Sequence, residues 1–234
     1  MLKVLESAVP VECWSCSVAH NELTLFCPHC SKIQPPQEGN YFSVFSLQPR
    51  LNIDVEALEH EFHRLSRRLH PDRFARASEN EQEWSLADTA LLNDAYRTLK
   101  DPIRRTEYLL KLHGAEIGEE HAGKNRRPNE MGASRAPADL LEEVFDLNMQ
   151  LEEMRLAKAG GEEDSSLKQS LTEAKTKFEG LLNAVDGELH TQWSAWDEGD
   201  EAARHDAQNK MVALLDRRRY LSNLVREVNE TLGA

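Results

Sequence analysis

Four cysteines stand in two pairs, Cys13-Trp14-Ser15-Cys16 and Cys27-Pro28-His29-Cys30, with ten residues between the pairs. Thiolates spaced this way sit at two vertices of a tetrahedron, so two pairs suit a closed structural site with zinc as the expected ion; iron is compatible with the same ligands. Cys27-Pro28-His29-Cys30 alone is also an active-site sequence of thiol oxidants, which rely on a helix N-terminus to lower a thiol pKa. The βαβ surroundings of that chemistry are missing, and a second pair stands at ligand distance, so structural zinc is favoured. In a reducing compartment two disulfides are disfavoured. His20 and His29 are bystanders on this reading, because four thiolates complete the shell. A second group with chemical potential is His70-Pro71-Asp72. Taken alone it reads as a helix stop, since Pro71 disfavours helical geometry at His70 and donates no backbone hydrogen bond. It suggests docking rather than catalysis. The chain has no phosphate-cradling glycine loop with its Lys, no G-x-S-x-G elbow and no H-E-x-x-H helix.

The elements around that tripeptide are legible from periodicity. Val55, Leu58, Phe62, Leu65 and Leu69 recur at spacings of three and four, one apolar stripe on a helix that should end near Leu69. Arg64, Arg67 and Arg68 share another face, which is either solvated or basic for a purpose. After a polar loop, Leu86 to Lys100 reads as a second helix, and Asp101-Pro102 opens a third that runs to Leu112. Lys32 to Gly39, with Pro35-Pro36, reads as a linker between the metal module and these helices.

Helices joined by a loop carrying His-Pro-Asp, flanked by shorter ones, resemble the J-domain of DnaJ-type co-chaperones over roughly residues 41–114. Asn40-Tyr41-Phe42 at the start, Leu69-His70-Pro71-Asp72-Arg73-Phe74 in the loop, and the run from Leu92 through Asp101-Pro102 to Leu110 are similar to the HscB branch, the co-chaperones of iron-sulfur cluster assembly. Some members of that branch carry a tetracysteine module before the J-domain. The resemblance implies that His70, Pro71 and Asp72, with Arg64, Arg67, Arg68 and Arg73, dock on a DnaK/HscA-type chaperone and activate its ATPase. On this reading the protein is not itself an enzyme.

Beyond Pro137 three more helical segments follow. Leu140, Val144, Leu147, Leu151 and Met154 form one seam, Leu167, Leu171, Ala174, Phe178, Leu181 and Val185 a second. Ala207, Met211, Leu214, Arg218, Leu221, Val225, Val228 and Leu232 form the third. Three antiparallel helices with such seams bury one core. Breaks are expected at Gly160-Gly161, with Ser165 and Ser166 as the next cap, and at Gly199-Asp200, with Trp193 and Trp196 closing that end of the bundle. The fold class is therefore all-α: a zinc-knuckle module in residues 1–36, a J-domain in 40–114, a flexible connection in 115–137 and a three-helix domain in 138–234.

The first bundle helix carries a second apolar stripe, Leu141, Phe145 and Met149, among acids. It is either a broad buried face or a protein-binding patch of apolar anchors ringed by charge. In the HscB branch this helix and a residue on the last helix receive the iron-sulfur scaffold. The resemblance thus assigns Leu141, Phe145, Asp146, Met149, Glu153 and Tyr220 to an IscU-type scaffold, with Glu142 and Met149 departing from the acidic-apolar pattern.

Composition limits the alternatives. The net charge of -13 is concentrated at the C-terminal end, where residues 139–234 carry 11 basic against 21 acidic side chains, while residues 40–115 carry 11 against 12. An acidic balance argues against nonspecific binding to nucleic acid or anionic membranes. No apolar run approaches the roughly 18 residues of a membrane span, and the first residues lack a secretory or transit pattern, so a cytoplasmic protein, monomer or weak dimer, is expected. A general co-chaperone for unfolded clients and a zinc-dependent thiol redox protein are the rival readings. The first would carry β-rich or Gly/Phe-rich client domains, which the sequence lacks; the second would need a rapidly reacting thiol.

Overall fold

The stripe from Val55 to Leu69 forms one helix in a computed structural model that describes residues 11–20, 24–37, 39–117, 137–161 and 164–233. The chain divides into two compact units, Met1–Leu109 and Leu110–Ala234.

In the first unit, β1 (Val11–Glu12) and β2 (Ala19–His20) make a two-residue antiparallel ladder beside the cysteines. Four helices follow: α1 (Tyr41–Val44), α2 (Val55–Leu69), α3 (Glu79–Lys100) and α4 (Pro102–Leu112), the last crossing the division between units. Asn40 and Asp54 start α1 and α2 by accepting the backbone N–H of Ser43 and Ala57. Leu58, Leu65 and Leu69 bury the stripe, and Phe62 stacks on Tyr96 of α3 at 4.0 Å. Tyr108 stacks on Tyr41 and accepts its backbone N–H at 2.8 Å, which pins α1 to α4. Arg105 is a structural residue, buried and donating to the carbonyls of Leu51 and Leu99.

The structure starts α3 at Glu79, two turns before the Leu86 expected from the apolar pattern. Residues 79–85 are almost all polar, so periodicity gives no signal there. A capping box does: the Ser78 hydroxyl accepts from Glu81 N–H while the Glu81 carboxylate accepts from Ser78 N–H. Lower on α3, Asp88 is 1% exposed. It lines a cavity of about 30 Å³ with Thr24 and Gln37. The side-chain polar atoms of all three have no hydrogen-bond partner among the described residues. Burial pushes the Asp88 carboxyl up to about 7.

The second unit holds α5 (Leu141–Gly160), α6 (Ser165–Glu198) and α7 (Glu201–Leu232). One core joins them through Val144, Leu147, Leu151, Leu171, Phe178, Val185, Leu221, Leu224 and Val228. Gly161, at φ +74°, ends α5 in the left-handed region that favours glycine. The cap of α6 is Asp164, which accepts from Ser166 and Leu167 N–H, rather than the serines themselves. On α7 the buried register passes through Leu215 and Leu224 where the sequence seam runs through Leu214 and Val225, both partly buried. A strict alternation of three and four drifts off the face of a straight helix over 32 residues. Trp193 and Trp196 are buried at the α6–α7 turn, where Trp196 meets the ring of His113 edge-on at 4.9 Å. No helix among the described residues is long and apolar enough to cross a membrane.

Candidate functional site: a metal centre, a docking loop and an apolar helix face

The four cysteine sulfurs all lie within 4.8 Å of one another. Cys13 Sγ and Cys30 Sγ are 3.7 Å apart, Cys16 Sγ and Cys27 Sγ 3.8 Å. These are far beyond disulfide bonding, and they match the edge of about 3.8 Å that a tetrahedron with zinc-sulfur bonds of roughly 2.3 Å requires. The two knuckles are built alike. Ser17 N–H donates to Cys13 O and Ser31 N–H to Cys27 O, each at 2.9 Å. Both serines take positive φ, 57° and 60°, which turns the chain sharply after the second cysteine of each pair. Backbone N–H groups of Ser15 and His29 point at Cys13 Sγ and Cys27 Sγ. Burial opposes ionisation of Cys13, yet the Ser15 and Cys16 amides and the neighbouring thiols outweigh it and bring that thiol down to about 6. Although the Val18 amide favours the Cys16 thiolate, burial and the three other cysteines push that thiol up to about 12. Four thiolates this close need a cation among them, and the donor set fits one divalent ion. Among the described residues no His joins the group.

The His70 loop is a single 3-10 turn, Pro71–Phe74, between α2 and α3. His70 and Asp72 are exposed. Asp72 N–H donates to His70 Nδ1 at 3.3 Å. The Asp72 carboxylate also lies 3.6 Å from the same ring nitrogen, so both the backbone and the side chain of Asp72 face His70 Nδ1. The loop is anchored from behind, because Ser85 Oγ donates to the Leu69 carbonyl at 2.6 Å and so satisfies an acceptor at the end of α2. Ser78, Glu81 and Ser85 hold the loop, and the sequence pattern alone gave none of them; Ser78-x-x-Glu81 was the available signal.

The arginines are not equivalent. Arg64 pairs with Glu61 one turn earlier, and Arg67 Nε donates to the His63 carbonyl; both side chains remain exposed. The Arg68 guanidinium lies 3.9 Å from the centre of the Phe26 ring in the cysteine module. Burial, then the Arg64 charge, lowers its pKa.

On α5 the two stripes separate. Val144, Leu147, Leu151 and Met154 face the core, while Leu141, Phe145 and Met149 are 56%, 64% and 51% exposed. Leu156, 65% exposed and seven residues past Met149, extends the outer stripe; its heptad spacing was the signal that sequence reading passed over. Asp146 and Glu153 are exposed beside it. Tyr220, grouped with these residues by the resemblance, is 7% exposed and packs in the bundle core with Leu221 and Leu224.

No family model matches the chain. Over 226 residues it is 31% identical to the mouse iron-sulfur cluster co-chaperone protein HscB, covering 94% of this chain and 82% of that one. The chain belongs to the HscB family of iron-sulfur cluster co-chaperones. The human HscB is 30% identical over 220 residues, 92% of this chain and 80% of that protein. A bacterial HscB homolog from Shewanella halifaxensis is 47% identical over 81 residues, 35% of this chain and 47% of its own. Among solved structures, human HscB superimposes with a TM-score of 0.63 at 28% identity, covering 94% of this chain and 98% of that one. Vibrio cholerae HscB does so at 0.59 and 27% identity, covering 82% and 96%. This HscB family member is thus all-α beyond its cysteine module, with four thiols placed to hold a metal ion.

Proposed function

We propose that this chain activates the ATPase of a DnaK/HscA-type chaperone through residues 40–114 and delivers an IscU-type scaffold, bound on α5 in residues 138–234, for cluster transfer. The observation that carries the reading is the His70-Pro71-Asp72 turn: exposed at its tip and hydrogen-bonded from behind. Arg64, Arg67 and Arg73 steer it onto an acidic surface, raising the encounter rate more than the final affinity. His70, Pro71 and Asp72 then shift the chaperone only by binding its hydrolysis-competent state better than its resting state.

The scaffold is held by Leu141, Phe145 and Met149, exposed apolar anchors flanked by Asp146 and Glu153. With both partners on one chain, capture of a scaffold peptide becomes effectively intramolecular, and a local concentration in the millimolar range is the order a short tether gives. Residues 1–36 hold zinc in a structural role through Cys13, Cys16, Cys27 and Cys30. The protein works in the cytoplasm.

Single-turnover ATP hydrolysis by the cognate chaperone tests this, with wild type and His70→Gln, each with and without scaffold. Wild type is expected to accelerate hydrolysis, more so with scaffold, and His70→Gln to do neither. Equal rates with wild type and variant would remove the docking role. A scaffold effect that survives Phe145→Asp would move the scaffold site off α5.

A further inference from the structure

Each knuckle of the cysteine module sends a side chain onto the helices that flank the His70 loop. Trp14, adjacent to Cys13, meets Trp84 of α3 edge-on at 5.6 Å. Phe26, adjacent to Cys27, lies under the Arg68 guanidinium two residues before His70. Lys32, two residues past Cys30, donates to Glu81 Oε1 at 3.0 Å. Glu81 is 7% exposed, and its other oxygen accepts from Ser78, the cap of α3. One carboxylate therefore joins the module to the residue that closes the loop. The Lys32 hydrogen bond is the leading reason the Glu81 carboxyl sits below its usual range.

These three contacts share one cause. Trp14, Phe26 and Lys32 lie within two residues of a cysteine, so their positions are set by closure of the two knuckles on each other. The Trp14 indole N–H donates to the Ile33 carbonyl at 2.7 Å and ties the first knuckle to the second. A two-residue ladder and one isolated bridge are the only strand pairings among the described residues of the module, far too few to hold such a small segment without its ligands drawn together.

We infer that Trp14, Phe26 and Lys32, placed by closure of the four-cysteine centre, position the His70-Pro71-Asp72 loop for docking. Arg68 is a positioning residue on this account: its cation–π contact fixes the C-terminal end of α2 and withholds it from the chaperone-facing set. Lys32 fixes the N-terminal end of α3 through Glu81. The loop between the two ends is then held at both, and loss of the metal frees both at once. The module thus makes docking competence depend on metal occupancy. The inference rests on the docking role proposed above for the His70 loop.

Amide hydrogen exchange on the full chain tests it separately from activity. Three forms are compared: zinc-loaded wild type, chelator-stripped wild type, and zinc-loaded chain with Phe26→Ala and Lys32→Ala. Stripping is expected to speed exchange over residues 70–82 by about tenfold, and the double variant by severalfold with zinc still bound. Amides of α6 and α7 should be unchanged, and zinc added back to the stripped chain should restore protection. In parallel, the double variant should need about fivefold more protein for half-maximal ATPase stimulation while reaching the same maximum. Equal exchange over 70–82 in all three forms would overturn the inference. So would melting of all of α3 on stripping, since the module would then hold the fold rather than the loop. If wild type stimulates no chaperone, the docking role fails, while exchange still decides whether the module braces the loop.

Discussion

Asp88 shows how one residue can carry a cost that its neighbourhood reveals. Its carboxylate is 1% exposed, lines a small cavity with Thr24 and Gln37, and has no hydrogen-bond partner among the described residues. Burial disfavours the charged form and raises the folded-state pKa from 3.8 to about 7. The folded chain therefore binds this proton more tightly than the unfolded chain. The associated stability is complete below pH 4 and is lost as pH rises towards 7. Asp88→Asn keeps the shape and removes the charge. Chemical denaturation of wild type and variant across pH 4–8 should show the variant gaining on wild type with rising pH, by about 4 kcal/mol at pH 8. A constant difference would mean that the carboxylate finds a partner. His70 is a different case at the same scale. Its neighbour Asp72 meets Nδ1 through a backbone N–H, which orients the exposed ring.

At the scale of elements, α5 and the α6–α7 turn are the instructive cases. The helix α5 is apolar on two faces, an inner seam in the core and an exposed outer stripe of Leu141, Phe145, Met149 and Leu156. Ion pairs flank its inner face on both sides: Glu143 to Lys177 of α6, and Arg155 to Glu227 of α7. Those pairs are exposed and contribute little each; the core decides the packing. The turn between α6 and α7 spans only Gly199 and Asp200. A Cβ on Gly199 would stand 2.2 Å from the Ala195 carbonyl oxygen, which is backbone and cannot swing away. Gly199→Ala should lower the stability of the second unit by about 1–3 kcal/mol, measured as a shift in its denaturation midpoint. Gly161→Ala should cost about 1 kcal/mol at the end of α5, through its positive φ alone, since nothing lies within 4 Å.

For the whole molecule, two units have separate interiors. The bundle core is drawn from Leu140 and residues after it, and the described contacts of the cysteine module with α2 and α3 lie within the first unit. A metal ion held by the four thiols would bind the folded knuckles more tightly than the unfolded chain and so stabilise the first unit by mass action. Thermal unfolding should accordingly be more than a single two-state step. A chelator should lower the transition reported by Trp14 and Trp84 exchange or fluorescence, and leave the transition of α5–α7 in place. A single coincident loss of both would show that the units unfold as one. The charge distribution belongs to this scale as well. With 21 acidic against 11 basic side chains in residues 139–234, the C-terminal part presents a field suited to a basic partner, and the scaffold association proposed above should weaken with added salt.

Local rules carried much of this protein in the sequence itself. The bounds of α2 and α4 follow from an apolar stripe ended by Pro71 and from Asp101-Pro102, and the four ligands follow from two C-x2-C pairs. All of these depend on residues close together in the chain, where period, proline geometry and ligand spacing act directly. The start of α3 needed a capping box rather than a stripe. Only the tertiary structure decided the rest. It turned Tyr220 inward and left Leu156 outward, because which side of a two-faced helix is buried depends on what packs against it. It set Phe26 under Arg68 and Lys32 on Glu81, pairs 42 and 49 residues apart in the chain. No periodicity encodes such pairs; closure of the cysteine module against the helices creates them.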